Sequence, residues 1–334
     1  MSDTAAPDSA TFADELRAWL DRRGRAAATI TVLAGDVSAR RYARLGWRDG
    51  STAIAARYPP GLAAAQLRFE GAARLLAAAG VRVPVTLDCD PAAGISLVED
   101  LGERTLYDLG ARGWSELEPL FEASVDTLAR VRALVPDAVA ALGSPPLDAA
   151  LLAREIEQTE RVFLRPRGLV DDGADGRRFL AALGALCARL GAQTPVACHR
   201  DFMARNLVPV GARGVAVLDF QDLRLGPPDY DLAALLNDSL FPPAAIEARL
   251  LERATGSPAP AEGYLRAVAQ RALKAVGTFA AFAARGNPRH LPLVAPTLAR
   301  AARALSRLPE TAEAWARLAP RFRAELPAGS DLLD

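Results

Sequence analysis

A chain of 334 residues, 51% hydrophobic and 24% charged, is long enough to form one large core or the cores of two lobes. Its 40 basic residues balance 40 acidic ones, so there is no overall positive charge to attract nucleic acid or an anionic membrane surface. The mean hydropathy of +0.08 is typical of a globular protein and not of a disordered chain.

A few rare residue types narrow the possible sites further. Lys274 is the only lysine, so a site that needs a cation elsewhere has to use arginine. Cys89, Cys187 and Cys198 share no metal-ligand spacing, which disfavours a zinc site and predicts reduced, buried thiols. The first residues are acidic where a signal peptide needs basic ones, and no apolar run reaches membrane-spanning length. We therefore expect a cytoplasmic protein without a membrane partner.

Short strands dominate the first part of the chain. The pattern predicts a leading helix over 11–20, strands over 28–34, 41–47, 52–57, 84–88 and 95–99, and one helix over 63–79. Strands with a single intervening helix indicate a small antiparallel sheet.

Beyond Gly102 the pattern becomes helical. Helices are predicted over 114–134, 146–163, 175–190, 242–254, 261–284 and 290–308, with a polar loop over 164–176. A sheet lobe over 1–101 followed by a helical lobe over 102–334 is a two-lobed α+β architecture.

One stretch of the second lobe, CHRDFMARNLVPVGARGVAVLDFQD over 198–222, gathers acids and an amide. Asp201 and Asn206 precede an apolar strand, and Asp219 ends the next one. Each residue alone can cap a turn or end a strand. Together they can direct one carboxylate at a substrate hydroxyl and two oxygen ligands at Mg²⁺, which prefers hard oxygen donors.

These two clusters resemble the protein-kinase-like fold, in which HRDFMARN (199–206) matches the catalytic loop and LDFQD (218–222) the metal-binding segment. The resemblance implies that Asp201 accepts or orients the proton of the acceptor hydroxyl. It also implies that Asn206 and Asp219 hold Mg²⁺ at the phosphates of ATP. His199 is expected to orient the loop.

Arg205, beside Asn206, is a candidate to stabilise the transferring phosphoryl group. A surface arginine in an ion pair is the alternative interpretation. Met203 occupies a place where many protein kinases carry a lysine.

The first lobe would then hold the nucleotide. LAGDVSARRYARL (33–45) can form a hairpin over the phosphates, with Gly35 and Ser38 near phosphate oxygens. Because no lysine is available, Arg57 at a strand end is the candidate cation, and Glu70 is its expected ion-pair partner. A solvated strand end is the alternative for Arg57.

The segment SLVEDLG (96–102) joins the two predicted lobes. Backbone groups from Glu99 to Leu101 are expected to bond the adenine edge there.

GPPDYDLAALLND (226–238) resembles the aminoglycoside phosphotransferase/choline kinase superfamily, and Asp231 within it is expected to cap its helix and brace the catalytic loop. GDVSARRYARL, VEDLGERTLYD, the DFQD variant and QRALKAVGTF (270–279) resemble, within that superfamily, the bacterial anomeric sugar kinases of cell-wall recycling. This resemblance implies ATP- and Mg²⁺-dependent transfer to the C1 hydroxyl of N-acetylmuramate or N-acetylglucosamine. It also implies an aromatic side chain near Val162, and position 162 itself is not aromatic.

Glu155, Gln221 and Asp222 are the candidates to contact the sugar, and a solvated helix face is the alternative interpretation for Glu155. Other acceptors stay open, namely an aminoglycoside, an amino alcohol or a different sugar. The acids of DDGAD (171–175) are too few to favour a polycationic acceptor. A nucleotide-binding pseudokinase is a further alternative. A monomer is expected.

Overall fold

The computed structural model describes residues 9–33 and 39–326. Gly35 and Ser38 lie outside the described residues, so the phosphate contacts expected of them stay predictions.

Within the described residues the first lobe is built on a five-stranded antiparallel sheet in the order β1-β2-β3-β5-β4. Its strands are β1 (Thr29–Leu33), β2 (Arg41–Gly46), β3 (Thr52–Arg57), β4 (Thr86–Asp90) and β5 (Ile95–Glu99). The helices of this lobe are α1 (Ser9–Arg22) and α2 (Ala63–Ala78). The predicted antiparallel sheet is therefore confirmed.

The two faces of this sheet have different partners. Phe12, Leu16 and Trp19 recur at helical spacing on α1 and bury themselves against one face. Ala53 and Ala55 of β3 point to that face. Because side chains alternate along a strand, the residues between them point to the opposite face, towards the second lobe.

The second lobe contains the larger core and is mainly helical. Its helices are α3 (Trp114–Arg132), α4 (Pro136–Ala140), α5 (Ala149–Thr159), α6 (Ala174–Gly191), α7 (Tyr230–Asn237), α8 (Ala244–Thr255), α9 (Glu262–Ala284), α10 (Val294–Leu305) and α11 (Ala312–Phe322). Its strands β6 (Val196–Cys198) and β9 (Arg224–Gly226) pair with each other, as do β7 (Leu207–Val210) and β8 (Gly214–Val217). The sequence prediction missed α4 and α11. Among the helices described, none has both the length and the apolar character needed to cross a bilayer.

Helix α9 is the central helix of this lobe and crosses α5 at very short range. A Cβ atom added at Gly277 would lie 2.2 Å from Thr159 Oγ1, so a larger residue there would push the helices apart. Thr159 Oγ1 also donates to the carbonyl of Leu273 at 3.0 Å. A π-helical turn, Glu160–Leu164, follows α5 directly. The relative position of these two helices is therefore fixed by backbone-level contact.

Side chains connect the lobes at the joint. Phe69 of α2 stacks on Phe220, which follows Asp219, with ring centroids 4.7 Å apart. Arg44 of β2 donates to the buried carboxylate of Asp100 at 2.6 Å. The Phe69–Phe220 stack crosses between the lobes, whereas the Arg44–Asp100 pair lies within the first lobe, at the segment that joins them.

Candidate active site

A buried aspartate on α7 supports the loop that carries Asp201. The Asp231 carboxylate accepts the backbone N–H of His199 at 2.6 Å and that of Arg200 at 2.9 Å. Arg200 has a φ of 77°, a left-handed conformation that a non-glycine residue adopts only when its surroundings hold it there. Asp231 therefore braces the loop, as predicted. The prediction that it also caps its own helix is wrong, because its carboxylate is turned to the loop.

His199 is fully buried, and its Nε2 lies 2.9 Å from the carbonyl of Leu218, just before Asp219. The ring thus links the loop of Asp201 to the segment of Asp219. This is the orienting role predicted for it.

We expect Asp231→Ala to lower the free energy of unfolding by about 3 kcal/mol, because two buried N–H groups lose a charged acceptor. Urea denaturation measures this change. Asp137→Asn is the control, since Asp137 is exposed, and we expect a change within about 0.5 kcal/mol for it. Equal free energies of unfolding for Asp231→Ala and wild type would show that the two hydrogen bonds to Asp231 do not stabilise the protein.

Two cations from α9 surround the Asp201 carboxylate. Arg271 Nη1 lies 3.4 Å and Lys274 Nζ 3.6 Å from Asp201 Oδ1. Burial by itself would raise the pKa of this carboxyl, but the charges of Lys274 and Arg271 outweigh burial and hold the pKa below its usual range. Asp201 is therefore a carboxylate at neutral pH.

Asn206 and Asp219 present oxygen atoms beside Asp201. Asn206 Nδ2 donates to the Asp201 carbonyl at 2.9 Å, which leaves the amide oxygen as its available acceptor. Asp219 adopts a left-handed backbone with φ 59°, and its side chain is 44% exposed. Across the described residues, no group of three or more His, Cys, Asp or Glu side chains is arranged to hold a metal ion without other ligands. Mg²⁺ needs only one or two protein ligands when phosphates and water complete its shell, so this pair fits it.

These two residues lie where two cavities meet. A space of about 360 Å³ between the lobes, the interlobe cleft, is lined by Arg40, Tyr42, Ala56, Tyr58, Leu101 and Gln221 as well as by Asn206 and Asp219. A space of about 670 Å³ in the second lobe, the C-lobe cavity, is lined by Asp201, Arg205, Lys274, Phe279, Phe282 and His290 and again by Asn206 and Asp219. Asn206 and Asp219 can therefore contact a group bound in either cavity.

Arg205 lies in the C-lobe cavity and is held from two sides. Its guanidinium carbon lies 3.5 Å from the centroid of the Tyr107 ring, and its Nε donates to Ser239 Oγ at 2.9 Å. The side chain is thus an ordered cation in the cavity and not a solvated surface arginine.

The predicted ion pair between Arg57 and Glu70 is wrong. Arg57 Nη1 donates to the Tyr58 carbonyl at 2.7 Å, and its Nε lies 3.9 Å from Glu15 of α1. Glu70 instead accepts hydrogen bonds from Thr86 at 2.9 Å and Ser96 at 3.1 Å. Arg57 shares the strand face of Ala53 and Ala55, so its side chain lies on the α1 side of the sheet.

Two arginines line the interlobe cleft, namely Arg44, which is paired with Asp100, and Arg40, just before β2. Arg40 Nη2 lies 3.5 Å from Asp219 Oδ1, and its guanidinium carbon lies 5.7 Å from the ring of Tyr42 and 5.9 Å from that of Tyr58. Burial raises the pKa of the Tyr58 hydroxyl to about 12, so this ring stays neutral beside the arginine. The sequence prediction missed Arg40.

At the joint, the Glu99 carboxylate pairs with Arg82 and accepts the backbone N–H of Val85 at 3.2 Å. The backbone N–H of Glu99 is also occupied, since it donates to the Val85 carbonyl at 2.8 Å. Leu101 lines the cleft. The Glu99 N–H is therefore not available to an adenine edge, and the contact predicted for backbone groups from Glu99 to Leu101 stays a prediction.

The candidate sugar residues take three different positions. Glu155 is not on a solvated helix face, because its side chain is only 10% exposed and it accepts from Arg200 at 3.0 Å and Gln270 at 3.1 Å. Asp222 pairs with Arg200 at 2.7 Å and Arg224 at 3.0 Å.

Gln221 donates to Asp219 Oδ1 at 2.7 Å and lines the interlobe cleft. Gln221 therefore lines the interlobe cleft and does not line the C-lobe cavity.

Sequence reasoning did not place Lys274 and Arg271 at the site, although both contact Asp201. Their separation from it by about seventy positions leaves no local signal, and a helical position gives only the face on which they lie. The combined spacing of Arg271, Lys274 and Thr278 is the signal that was present, because it puts three polar residues on one face of the helix.

Comparison with known proteins gives the family. The sequence model of the phosphotransferase enzyme family matches residues 29–267, most of the chain. The chain belongs to this family. The described site residues from Arg40 to Asp219 lie within the matched segment, whereas the residues that α9 contributes to the C-lobe cavity, from Arg271 to Phe282, lie beyond it.

Curated relatives of this phosphotransferase extend over nearly its whole length. The N-acetylmuramate/N-acetylglucosamine kinase of Pseudomonas aeruginosa is 33% identical over 319 residues, which cover 91% of this chain and 90% of the relative. The protein of the same name from Pseudomonas putida is 31% identical and covers 97% of this chain and 99% of the relative.

Solved structures of the family share the fold at low sequence identity. Choline kinase LicA from Streptococcus pneumoniae aligns with a TM-score of 0.59 at 16% identity, over 89% of this chain and 98% of LicA. The ADP-bound aminoglycoside phosphotransferase APH(2'')-Ib aligns with a TM-score of 0.62 at 15% identity, over 90% of this chain and 98% of that one. The predicted two-lobed, protein-kinase-like fold is thereby confirmed.

Proposed function

We propose that this phosphotransferase transfers the γ-phosphoryl group of ATP to the anomeric hydroxyl of an N-acetylated amino sugar, N-acetylmuramate or N-acetylglucosamine. The observation that carries the proposal is the position of Asn206 and Asp219 in the walls of both cavities, with Asp201 beside them in the C-lobe cavity. The names of the curated relatives support the choice of sugar. The role in peptidoglycan recycling, the cytoplasmic location and the monomeric state stay predictions.

Nucleotide binding belongs to the interlobe cleft in this proposal. Arg40 lines the cleft beside Asp219, and it binds the nucleotide phosphates in place of Arg57, for which this role was predicted. Arginine can pair with phosphate oxygens through two parallel N–H bonds. Tyr42 and Tyr58 flank its guanidinium and restrict it to the cleft.

In the transfer step the acceptor oxygen forms a bond to the γ-phosphorus, the bond from that phosphorus to the bridging oxygen breaks, and ADP leaves. The acceptor proton passes to Asp201. Because Lys274 and Arg271 hold the pKa of Asp201 low, it is a weak base, and it first orients the hydroxyl. The proton moves late, when bond formation has made the acceptor oxygen acidic, as a loose transition state requires.

Charge develops on the transferring group, and the residues around it are cationic. Arg205 and Lys274 both line the C-lobe cavity next to Asp201. Asn206 and Asp219 would hold Mg²⁺, which neutralises phosphate charge when bound. Positioning and charge neutralisation are therefore the main contributions of the protein.

The acceptor ring has an apolar wall in the C-lobe cavity. Phe279 stacks on His290 with centroids 5.2 Å apart, and Phe282 lies beside the same ring at 5.8 Å. Flat aromatic faces suit the C–H face of a sugar ring, while its hydroxyls need polar partners. In this proposal Phe279 and Phe282 provide the aromatic contact expected near Val162, because Phe163 beside Val162 is fully buried and outside the cavity lining.

Turnover of a panel of acceptors tests the proposal. Purified protein with Mg²⁺ and ATP is given N-acetylmuramate, N-acetylglucosamine, glucose, choline and kanamycin, and ADP release is measured. We expect turnover with the two N-acetylated sugars. Turnover with kanamycin or choline alone would contradict the proposal, and ATP binding without turnover of any acceptor would favour the nucleotide-binding pseudokinase.

A further inference from the structure

A groove of about 340 Å³ opens between α5 and α9, next to the C-lobe cavity, and we call it the side groove. Helix α5 contributes Arg154, Glu155 and Gln158, and α9 contributes Lys274 and Thr278. Lys274 and Thr278 also line the C-lobe cavity, so the two spaces share a wall. A substituent on a molecule in the cavity can extend past this wall into the groove.

The geometry of the groove follows from the helix crossing beneath it. Arg154 and Gln158 are one turn apart on α5, as Lys274 and Thr278 are on α9, so each pair forms one edge. The close contact of Thr159 with Gly277 fixes the distance between these edges. The groove is therefore built into the fold and does not depend on a mobile loop.

The charges of the groove favour an anion. Its one carboxylate, Glu155, is already paired with Arg200 at 3.0 Å. The other charged side chains of its lining are Lys274, which lies 3.6 Å from Asp201 Oδ1, and Arg154. Arg154 is exposed and forms no ion pair with any residue in 9–33 or 39–326. A polycationic acceptor would be repelled here, whereas an acidic one would be attracted.

We propose that the side groove binds a carboxylate-bearing substituent of the sugar acceptor and that Arg154 holds this carboxylate. The inference rests on the proposed function and adds to it the class of acceptor, an acidic amino sugar. N-acetylmuramate carries a lactyl carboxylate that N-acetylglucosamine lacks. The planar guanidinium of Arg154 pairs with both oxygens of a carboxylate, and the Gln158 amide one turn along is a further donor.

Substitution of Arg154 separates the two sugars. In Arg154→Ala we expect the ratio of kcat/KM for N-acetylmuramate to kcat/KM for N-acetylglucosamine to fall by about 10-fold to 100-fold, the effect of losing a charge-assisted hydrogen bond. Arg161→Ala is the matched control, because Arg161 is exposed in the turn after α5 and lies outside the groove lining. Its ratio should stay within about twofold of wild type.

A ratio in Arg154→Ala that equals the wild-type ratio would overturn the proposal, whether both sugars lose activity equally or neither does.

Calorimetric dissociation constants of the two sugars provide a second readout that needs no turnover. Tighter binding of N-acetylmuramate in wild type, lost in Arg154→Ala, supports the groove even if neither sugar is phosphorylated, in which case only the proposed reaction fails. Equal dissociation constants for the two sugars in wild type would contradict the proposal that the side groove binds the carboxylate of the acceptor.

Discussion

Asp201→Asn lowers kcat by about 10²-fold to 10⁴-fold, the range expected when the acceptor of a transferred proton is lost. The amide is nearly the size of the carboxylate, so the change removes charge and basicity with little effect on packing. The dissociation constant of ATP should stay nearly constant, because Asp201 lines the C-lobe cavity and not the interlobe cleft. Steady-state turnover together with equilibrium nucleotide binding measures both quantities.

The control for this substitution is Asp137→Asn, on the surface at α4, which should keep wild-type turnover. A kcat for Asp201→Asn within about threefold of wild type would remove Asp201 from the role of proton acceptor. Loss of ATP binding in the same variant would instead show that the substitution disturbs the cleft.

Arg40→Ala and Arg57→Ala should differ sharply. Loss of Arg40 removes the cation that lies beside Asp219 in the interlobe cleft, and the other arginine of the cleft, Arg44, is already paired with Asp100. We therefore expect the KM for ATP to rise about 10-fold to 100-fold, as for a lost charge-assisted bond. Arg57 lies on the α1 side of the sheet, 3.9 Å from Glu15, and its loss should change the KM for ATP by no more than about twofold.

The comparison is well controlled because both residues are arginines of the first lobe, Arg40 just before β2 and Arg57 at the end of β3, which pairs with β2. Tryptophan fluorescence during thermal unfolding shows whether either variant is destabilised. Equal effects of the two substitutions on the KM for ATP would contradict the assignment of Arg40. A larger effect of Arg57→Ala would restore the original prediction.

The contrast between these arginines also shows where sequence reasoning fails. A strand normally reveals its buried face by alternation of apolar and polar residues. In β3 nearly every position is alanine or isoleucine, TAIAAR, so neither face is distinguished and the side chain direction of Arg57 stays open. Only the packing of α1 on Ala53 and Ala55 in the structure shows that the Arg57 side chain lies on the α1 face of the sheet.

The catalytic segment was predictable for the opposite reason. Asp201, Asn206 and Asp219 lie on one loop and on the hairpin that follows it, so their spacing along the chain determines which of them can meet. The relative positions of residues this close in the chain can therefore be predicted from a short stretch of sequence. Contacts from α9 to Asp201 depend instead on how the helices of the second lobe pack, and no local pattern contains that information.

Among the helices, α11 was missed although its buried face repeats at helical spacing. Trp315, Leu318 and Phe322 all point into the core. Pro320 interrupts this pattern, and a proline in the sequence normally predicts the end of a helix. Packing against α6 and α10 stabilises the helix despite this proline. The aromatic wall of Phe279 and Phe282 was missed too, because core packing is the more frequent use of such residues on a long helix.

The position of the phosphoryl group on the product tests the central claim most directly. N-acetylglucosamine labelled with ¹³C at C1 is incubated with the protein, Mg²⁺ and ATP, and the product is observed by phosphorus NMR. Transfer to the anomeric oxygen predicts a phosphorus signal split by coupling to the labelled carbon. A new sugar phosphate signal without this splitting would place the phosphoryl group on another hydroxyl and contradict the account.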